Sequence, residues 1–148
     1  LPTSSPILID DRLLIAVLLD EPLGLPAGGT LHTTAYWYYR ACRAAVTGGA
    51  GQLSGPFRSV NPDQQAAAIT AILALPDDIG LPDARLLVPL MVDIHQRHPH
   101  LNLMNLEAAA TARLLAAQVL LSPPAADGVL PPALDAEHLP WAVIHPGG

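Results

Sequence analysis

The sequence predicts an α/β fold, a three-layer sandwich with a central, mainly parallel sheet. Short, continuous apolar runs at Ile7-Leu8-Ile9, Val119-Leu120-Leu121 and Trp141-Ala142-Val143-Ile144 read as strands, the first two buried on both faces. Between them lie stretches with helical apolar spacing and recognisable capping residues. The 148 residues are 51% hydrophobic and only 4% aromatic, which suits one domain with a core of Ala, Leu, Val and Ile. Residues 1–148 are expected to form that single domain, with frayed ends at Leu1 to Pro6 and Pro146 to Gly148.

Taken in order, the first strand ends in Asp10-Asp11, either of which can cap a helix from Arg12 to Leu19 by accepting from free backbone N–H groups. Pro22 to Gly29 is a loop, and Thr30-Leu31-His32 can add a short strand. Thr33 or Thr34 opens a helix to about Val46, closed by Gly48-Gly49, and Gly51 to Val60 has no periodicity. Asn61-Pro62-Asp63-Gln64 is the clearest helix start, with a capping side chain, Pro at the first helical position and Gln placed for the reciprocal bond. That helix continues from Ala66 to Leu75 and stops at Pro76. Asp83 caps a helix to about His98, in which Pro89 calls for a kink or a later start near Val88. Asn105 or Asn102 caps Leu106 to Ala117, and Pro131-Pro132 opens a short helix to His138.

Charge and composition exclude several classes. Seven basic residues, all Arg, against 13 acidic ones give a net charge of −6, which lacks the basic footprint of a tight nucleic-acid binder. The single Cys42 excludes an internal disulfide framework and a Cys-rich zinc site. Its neighbours Arg40 and Arg43 would activate an exposed thiol, but a buried structural Cys is the commoner outcome. The longest apolar runs, Leu13 to Leu19 and Leu86 to Val92, are too short to span a bilayer, and the acidic entry Asp10-Asp11-Arg12 is wrong for a signal peptide. The expectation is a cytoplasmic protein without a membrane partner.

Chemistry is expected beyond the carboxyl ends of the strands. Asp10 and Asp11 follow the first strand, Glu107 lies in the first turn of the helix before the second core strand, and Asp127 follows that strand. Converging carboxylates suit Mg²⁺ or Mn²⁺, which take oxygen ligands. The plainer alternative is that Asp10 or Asp11 is a helix cap and Glu107 complements a helix dipole. His95, His98 and His100 could ligate a transition metal by spacing, but a solvated helix end with favourable cations near its C-terminus explains them without one and is the preferred reading. Tyr36-Trp37-Tyr38-Tyr39 occupy four consecutive helical positions that sweep nearly the whole circumference, so at least one large ring is expected to be exposed, either in a subunit or partner contact or against a loop.

The run Ile7-Leu8-Ile9-Asp10-Asp11-Arg12-Leu13-Leu14-Ile15-Ala16 resembles the opening of a PIN domain: a strand, an Asp, small polar residues, then an apolar helix. Leu31-His32-Thr33-Thr34-Ala35 is similar to that family's lead into its second long helix. Leu103-Met104-Asn105-Leu106-Glu107-Ala108 is similar to the segment in which an Asp opens the helix before the fourth strand. Leu120-Leu121-Ser122, a loop, a short helix and Trp141 to Ile144 match the closing elements. The likeness covers nearly the whole chain in order.

PIN domains are typically metal-dependent ribonucleases, many of them toxins held in check by a small antitoxin. The resemblance implies an acidic site in which a divalent ion activates water for attack on a phosphodiester. Carried over by position, Asp10 matches the first acid and Glu107 the later Asp, with Asp11 as a further ligand if an ion binds. Three departures stand out. Arg40 occupies the place nearest the family's helical Glu, Asp11 and Arg12 replace small polar residues, and Ser122-Pro123-Pro124 lacks the acid expected after the fourth strand, Asp127 coming later. A guanidinium cannot ligate a cation, and its fork of donors fits a carboxylate. Arg40 is therefore expected to pair with Asp10, Asp11 or Glu107.

The reading that follows is a degenerate PIN-like domain with a vestigial site at Asp10 and Glu107, needing no cofactor and acting through protein contacts as a homodimer or with a partner such as a small antitoxin. Its alternative is a Mg²⁺- or Mn²⁺-dependent ribonuclease, a toxin in that version, with RNA as substrate.

Overall fold

In the computed structural model, residues 5–47 and 61–146 are described. Strands β1 (Pro6–Ile9), β2 (Thr30–His32), β3 (Gln118–Leu121) and β4 (Trp141–Val143) form one sheet in the order β2-β1-β3-β4, with every pairing parallel. The helices are α1 (Asp11–Leu18), α2 (Ala35–Thr47), α3 (Pro62–Leu73), α4 (Ala84–Arg97), α5 (Leu103–Leu115), α6 (Pro123–Ala126) and α7 (Leu130–Ala136).

The two central strands divide their side chains between two cores, as the period of two requires. On one side Ile7, Ile9 and Leu120 meet Leu13, Leu14 and Ile15 of α1, Ala41, Ala44 and Ala45 of α2, and Ala68 and Ile72 of α3. On the other, Leu8, Val119 and Leu121 meet Leu87 and Ile94 of α4, the alanines of α5, and Leu130 and Leu134 of α7. Burial on both faces is why these strands carry no polar alternation. Helix α5 is enclosed on most sides, with Ala108, Ala109, Ala110 and Ala112 fully buried. Small side chains there let its backbone lie close to the sheet and to α4 together.

The edges of the sheet are short. The outer side of β2 is met by Gly80, whose N–H donates to the Leu31 carbonyl at 2.9 Å and whose carbonyl accepts from Thr33 N–H at 3.0 Å. A Cβ on Gly80 would collide with the His32 ring, so only glycine fits. Strand β4 is held by the Trp141 indole, which donates to Asp135 at 2.8 Å.

Several boundaries differ from the sequence expectation. Pro6 is the first residue of β1 rather than part of a frayed end, because Thr30 N–H donates to the Ser5 carbonyl and extends the ladder. Helix α4 runs from Ala84 through Pro89 without a later start; Asp83 accepts from Arg85 N–H at 2.8 Å and fixes the first turn. Asn102, not Asn105, caps α5, accepting from Asn105 N–H at 3.0 Å, while Asn105 is itself buried. Helix α3 ends at Leu73, ahead of Leu75, and α6 occupies a stretch expected to be loop, started by Pro123-Pro124. The Gly48-Gly49 stop and the Gly51 to Val60 loop lie outside the described residues.

An ion cluster centred on the buried Glu137 joins α4, α5 and the end of α7. Glu137 is 8% exposed and accepts from Arg97 Nε at 3.0 Å and Nη2 at 2.7 Å, and from Arg113 Nη2 at 2.6 Å. His98 Nε2 lies 2.9 Å from the same carboxylate, so this histidine belongs to an ion cluster and not to a free helix end. Asp93 pairs with Arg97 at 2.9 Å and balances the second guanidinium. The Arg97 hydrogen bonds, with His98 and Arg113, outweigh desolvation and hold the Glu137 carboxyl down at about 2.

Two predictions follow from this packing. Glu137→Gln should destabilise the chain by about 1 kcal/mol at pH 7, since it removes the charge that the half-exposed Arg97 and Arg113 guanidiniums share. Because the folded Glu137 titrates at about 2 against an ordinary 4.5, its contribution is complete above the ordinary value and is lost as pH falls from there to about 2. Urea unfolding of both chains across that window should show the difference shrinking towards the acid end. Separately, Ala116 closes α5 in the left-handed region at φ 51°. Ala116→Gly should therefore stabilise by about 1 kcal/mol, read by thermal unfolding.

Candidate functional site

The carboxyl end of the sheet is assembled by register. Parallel pairing of Ile9 with Leu120 brings Ser122, just past β3, against Asp10, just past β1. Parallel pairing of Leu8 with His32 brings Thr33 alongside, and its hydroxyl donates to the Ile9 carbonyl at 3.0 Å. Thr34 then caps α2, accepting from Trp37 N–H at 3.0 Å. The polar residues at this rim thus stand at the ends of the three adjacent strands β2, β1 and β3.

Asp10 is fully buried and serves two elements. Its Oδ1 accepts from Leu13 N–H at 2.9 Å and caps α1, while Oδ2 accepts from Ser122 N–H at 2.8 Å and Ser122 Oγ at 2.6 Å. Burial raises its pKa first of all, and the neighbouring Asp11 charge adds to that; the three donors work in the opposite direction without cancelling it. Asp11 opens α1. Its Oδ1 accepts from Arg12 N–H at 2.8 Å, and its Oδ2 receives the Arg40 Nε at 2.6 Å. Glu107 reaches from α5 to the first turn of α2, where its two oxygens accept from Ala35 N–H at 3.3 Å and Tyr36 N–H at 2.9 Å. A carboxylate there satisfies free N–H groups and meets the positive end of the helix.

Asp10, Asp11 and Glu107 therefore face different donors: Ser122 and the α1 amides, Arg40, and the α2 amides. Among the described residues no group of three or more His, Cys, Asp or Glu side chains is arranged to hold a metal ion. Asp127 is the exposed C-cap of α6. Cys42 is half-buried on α2. The sequence contained no distinctive signal for Ser122 as the partner of Asp10; only its place directly after a buried strand pointed to the rim. Nor did it mark Glu107 as a cap for a helix that begins more than seventy residues earlier.

The four aromatic positions of α2 separate. Trp37 is 2% exposed and belongs to the core with Leu106 and Leu130, which corrects its assignment to an interface. Tyr38 is half-buried and its hydroxyl donates to the Ile72 carbonyl at 2.9 Å. Tyr36 and Tyr39 face outward, 37% and 58% exposed, with their rings edge to face at 6.4 Å and the Arg43 guanidinium 5.9 Å from the Tyr39 centroid. Positions 36, 39, 40 and 43 fall on one side of the helix, so this aromatic and cationic stripe includes the arginine that binds Asp11. A cavity of about 840 Å³ opens elsewhere, at the amino end of the strands between Ser5 and Ile7, Gly28, Gln118 and Pro140, and shares no residue with the acidic rim.

No family profile matches the chain, and no curated protein matches its sequence. Its fold has solved counterparts. VapBC-1 from nontypeable Haemophilus influenzae superposes with a TM-score of 0.53 over 93% of this chain and 97% of that one, at 13% identity. At that identity the likeness concerns the fold alone. With the all-parallel sheet flanked by helices, it describes a PIN-like three-layer sandwich. No described helix is long and apolar enough to cross a membrane.

The Asp10–Ser122 pair makes a testable linkage. Ser122→Ala removes one of three donors to a buried carboxylate and should cost about 1–2 kcal/mol at neutral pH. It should also move the Asp10 pKa further up, because the lost bond favoured the ionised form. Carboxyl carbon NMR of Asp10 and urea unfolding measure the two effects, and an unchanged titration would separate Ser122 from the carboxylate.

Proposed function

We propose that the chain is a PIN-like domain whose acidic rim is neutralised from within, and that it acts through protein contacts instead of phosphodiester hydrolysis. The observation that carries this reading is the Arg40 guanidinium on the Asp11 carboxylate at 2.6 Å. It supplies, on the chain itself, one positive charge where a divalent ion would bring two. At about 4 Å and an effective dielectric near 20, one unit of like charge opposes a cation by ~4 kcal/mol, comparable to a weak Mg²⁺ site. Asp10 supports the same conclusion, since both of its oxygens already accept hydrogen bonds from the protein.

The contact surface in this reading is the outer side of α2, where Tyr36, Tyr39 and Arg43 project beside Arg40. Tyr and Arg are the residue types that most often dominate protein interfaces. The resemblance to PIN domains makes a small antitoxin-like protein one partner of suitable kind, and a second copy of the chain another. The acids that remain at the carboxyl rim favour a second reading, a Mg²⁺- or Mn²⁺-dependent endoribonuclease of the toxin type. In it Asp10, Asp11 and Glu107 would hold the ion once Arg40 swung away, and the ion would activate water.

Calorimetric titration with Mn²⁺ and Mg²⁺, run beside an RNA cleavage assay, separates the two. The parent chain should bind neither ion with submillimolar affinity and should not cleave. Arg40→Glu should raise Mn²⁺ affinity about tenfold or more, equivalent to ~1.4 kcal/mol. Arg40→Ala should lower stability by less than about 1 kcal/mol, because the pair is partly open to solvent. Tight Mn²⁺ binding together with RNA cleavage by the parent chain would overturn the proposal in favour of the nuclease.

A further inference from the structure

Two polar groups near the core have no hydrogen-bond partner among the described residues. Trp37 is 2% exposed; its backbone N–H donates to the Thr34 hydroxyl, but its indole N–H donates to nothing. The indole of Trp141, by contrast, is bonded to Asp135. Asn105 is 9% exposed, with its backbone N–H taken by Asn102 and its carboxamide left unpaired. Both residues line one cavity of about 330 Å³, walled otherwise by side chains such as Met104, Pro124, Val129 and Leu130. Among the described residues no side-chain nitrogen or oxygen sealed from solvent lacks a partner, so both groups must open onto space. The cavity is the space they share.

We propose that this cavity binds a small neutral ring that carries an amide edge, a carbonyl beside an N–H. The carboxamide of Asn105 offers an acceptor and a donor side by side, the complement of such an edge. The indole of Trp37 only donates, so it calls for a further acceptor, which the second lone pair of the same carbonyl supplies. No charged or titratable side chain lines the cavity. An anion would find no cation there, and a cation no acid, to offset its desolvation. The Met104 thioether and the Trp37 ring, with the other apolar walls, suit the body of an aromatic ring. A volume of about 330 Å³ is at the low end of the ~300–1,000 Å³ of small-molecule sites and limits the ligand to about one substituted ring.

An amide edge of this kind occurs on a free ring and on the base of a nucleotide. The lining selects the free ring, because a ribose phosphate would bring charge to a cavity that holds no cation. Ordered water can satisfy the same groups, and a ligand displaces it only by reproducing its hydrogen bonds, which an amide edge does and a plain apolar ring does not. The proposal is independent of the reading of the acidic rim: it uses no carboxylate, and neither ion binding nor RNA cleavage bears on it.

Proton–nitrogen NMR of the whole chain, titrated with benzamide to about 20 mM, tests it through the two indole N–H signals, assigned with Trp37→Phe. The Trp37 signal should shift and saturate with a Kd of about 1 mM or tighter, while that of Trp141, held by Asp135, stays in place. Acetophenone keeps the ring and carbonyl without the N–H and should bind at least about threefold more weakly; the isosteric anion benzoate should lose at least about tenfold. Asn105→Leu should weaken benzamide at least about tenfold and abolish its advantage over acetophenone. The comparison of the three probes on the parent chain stands whatever that variant does to folding. Uridine 5′-monophosphate should bind less tightly than uracil. A Trp37 signal that does not move, meaning water only, overturns the proposal, as does benzoate binding as tightly as benzamide. So do an Asn105→Leu chain that binds benzamide like the parent and a preference for the nucleotide over uracil.

Discussion

The buried carboxylate of Asp10 is the constraint around which the carboxyl end of this sheet is organised. One oxygen starts α1 through the Leu13 amide, and the other binds the backbone and hydroxyl of Ser122 beyond β3. Two segments separated by more than a hundred residues are thereby held at one point. Hydrogen bonds to a charged, buried acceptor are stronger than ordinary ones and costly to leave unmade. The register of β1 against β3 brings these donors to the one group, and the bonds then tie the start of α1 to the end of β3.

Around that point the rim is arranged as a set of closed electrostatic pairs. Asp11 is met by Arg40 and Glu107 by the amides that open α2. The opposite corner of the molecule repeats the strategy, with Glu137 enclosed by Arg97, Arg113 and His98. Four of the chain's seven arginines are accounted for when Arg43 over Tyr39 is included with Arg40, Arg97 and Arg113. A chain with net charge −6 has few cations to distribute, and three of the six described arginines, Arg40, Arg97 and Arg113, neutralise acids of its own. That allocation limits the positive surface open to a polyanion.

The Ala-rich core has a consequence for the outside. Alanines on α5 allow it to sink against the sheet and α4, so α4 needs only Leu87 and Ile94 fully inside. Leu90 and Met91 are partly buried against the same core. Exposed Leu86, Val88 and Val92 are what remains of a hydrophobic helix whose neighbours are too small to enclose it.

What the sequence determined by itself was the part governed by local rules. Apolar runs of strand length, Pro62 and Asn61 at a helix start, and Asp10 after Ile9 announced the parallel α/β order and the placement of an acid at a strand end. Resemblance to PIN domains in motif order anticipated the same architecture and singled out Arg40 as a cation among acids. The tertiary structure decided everything that depends on which distant residues meet. That Ser122 answers Asp10, that Arg40 chooses Asp11, and that Glu107 caps α2 are consequences of strand register and helix docking over separations of 112, 29 and 71 residues. Trp37 and Tyr39 differ by two positions on one helix, yet one is core and the other surface, because rotation about the helix axis is fixed by packing and not by composition. Sequence patterns carry periodicity and chemistry; only the closed fold converts them into distances, and the state of an acidic site is a matter of distances.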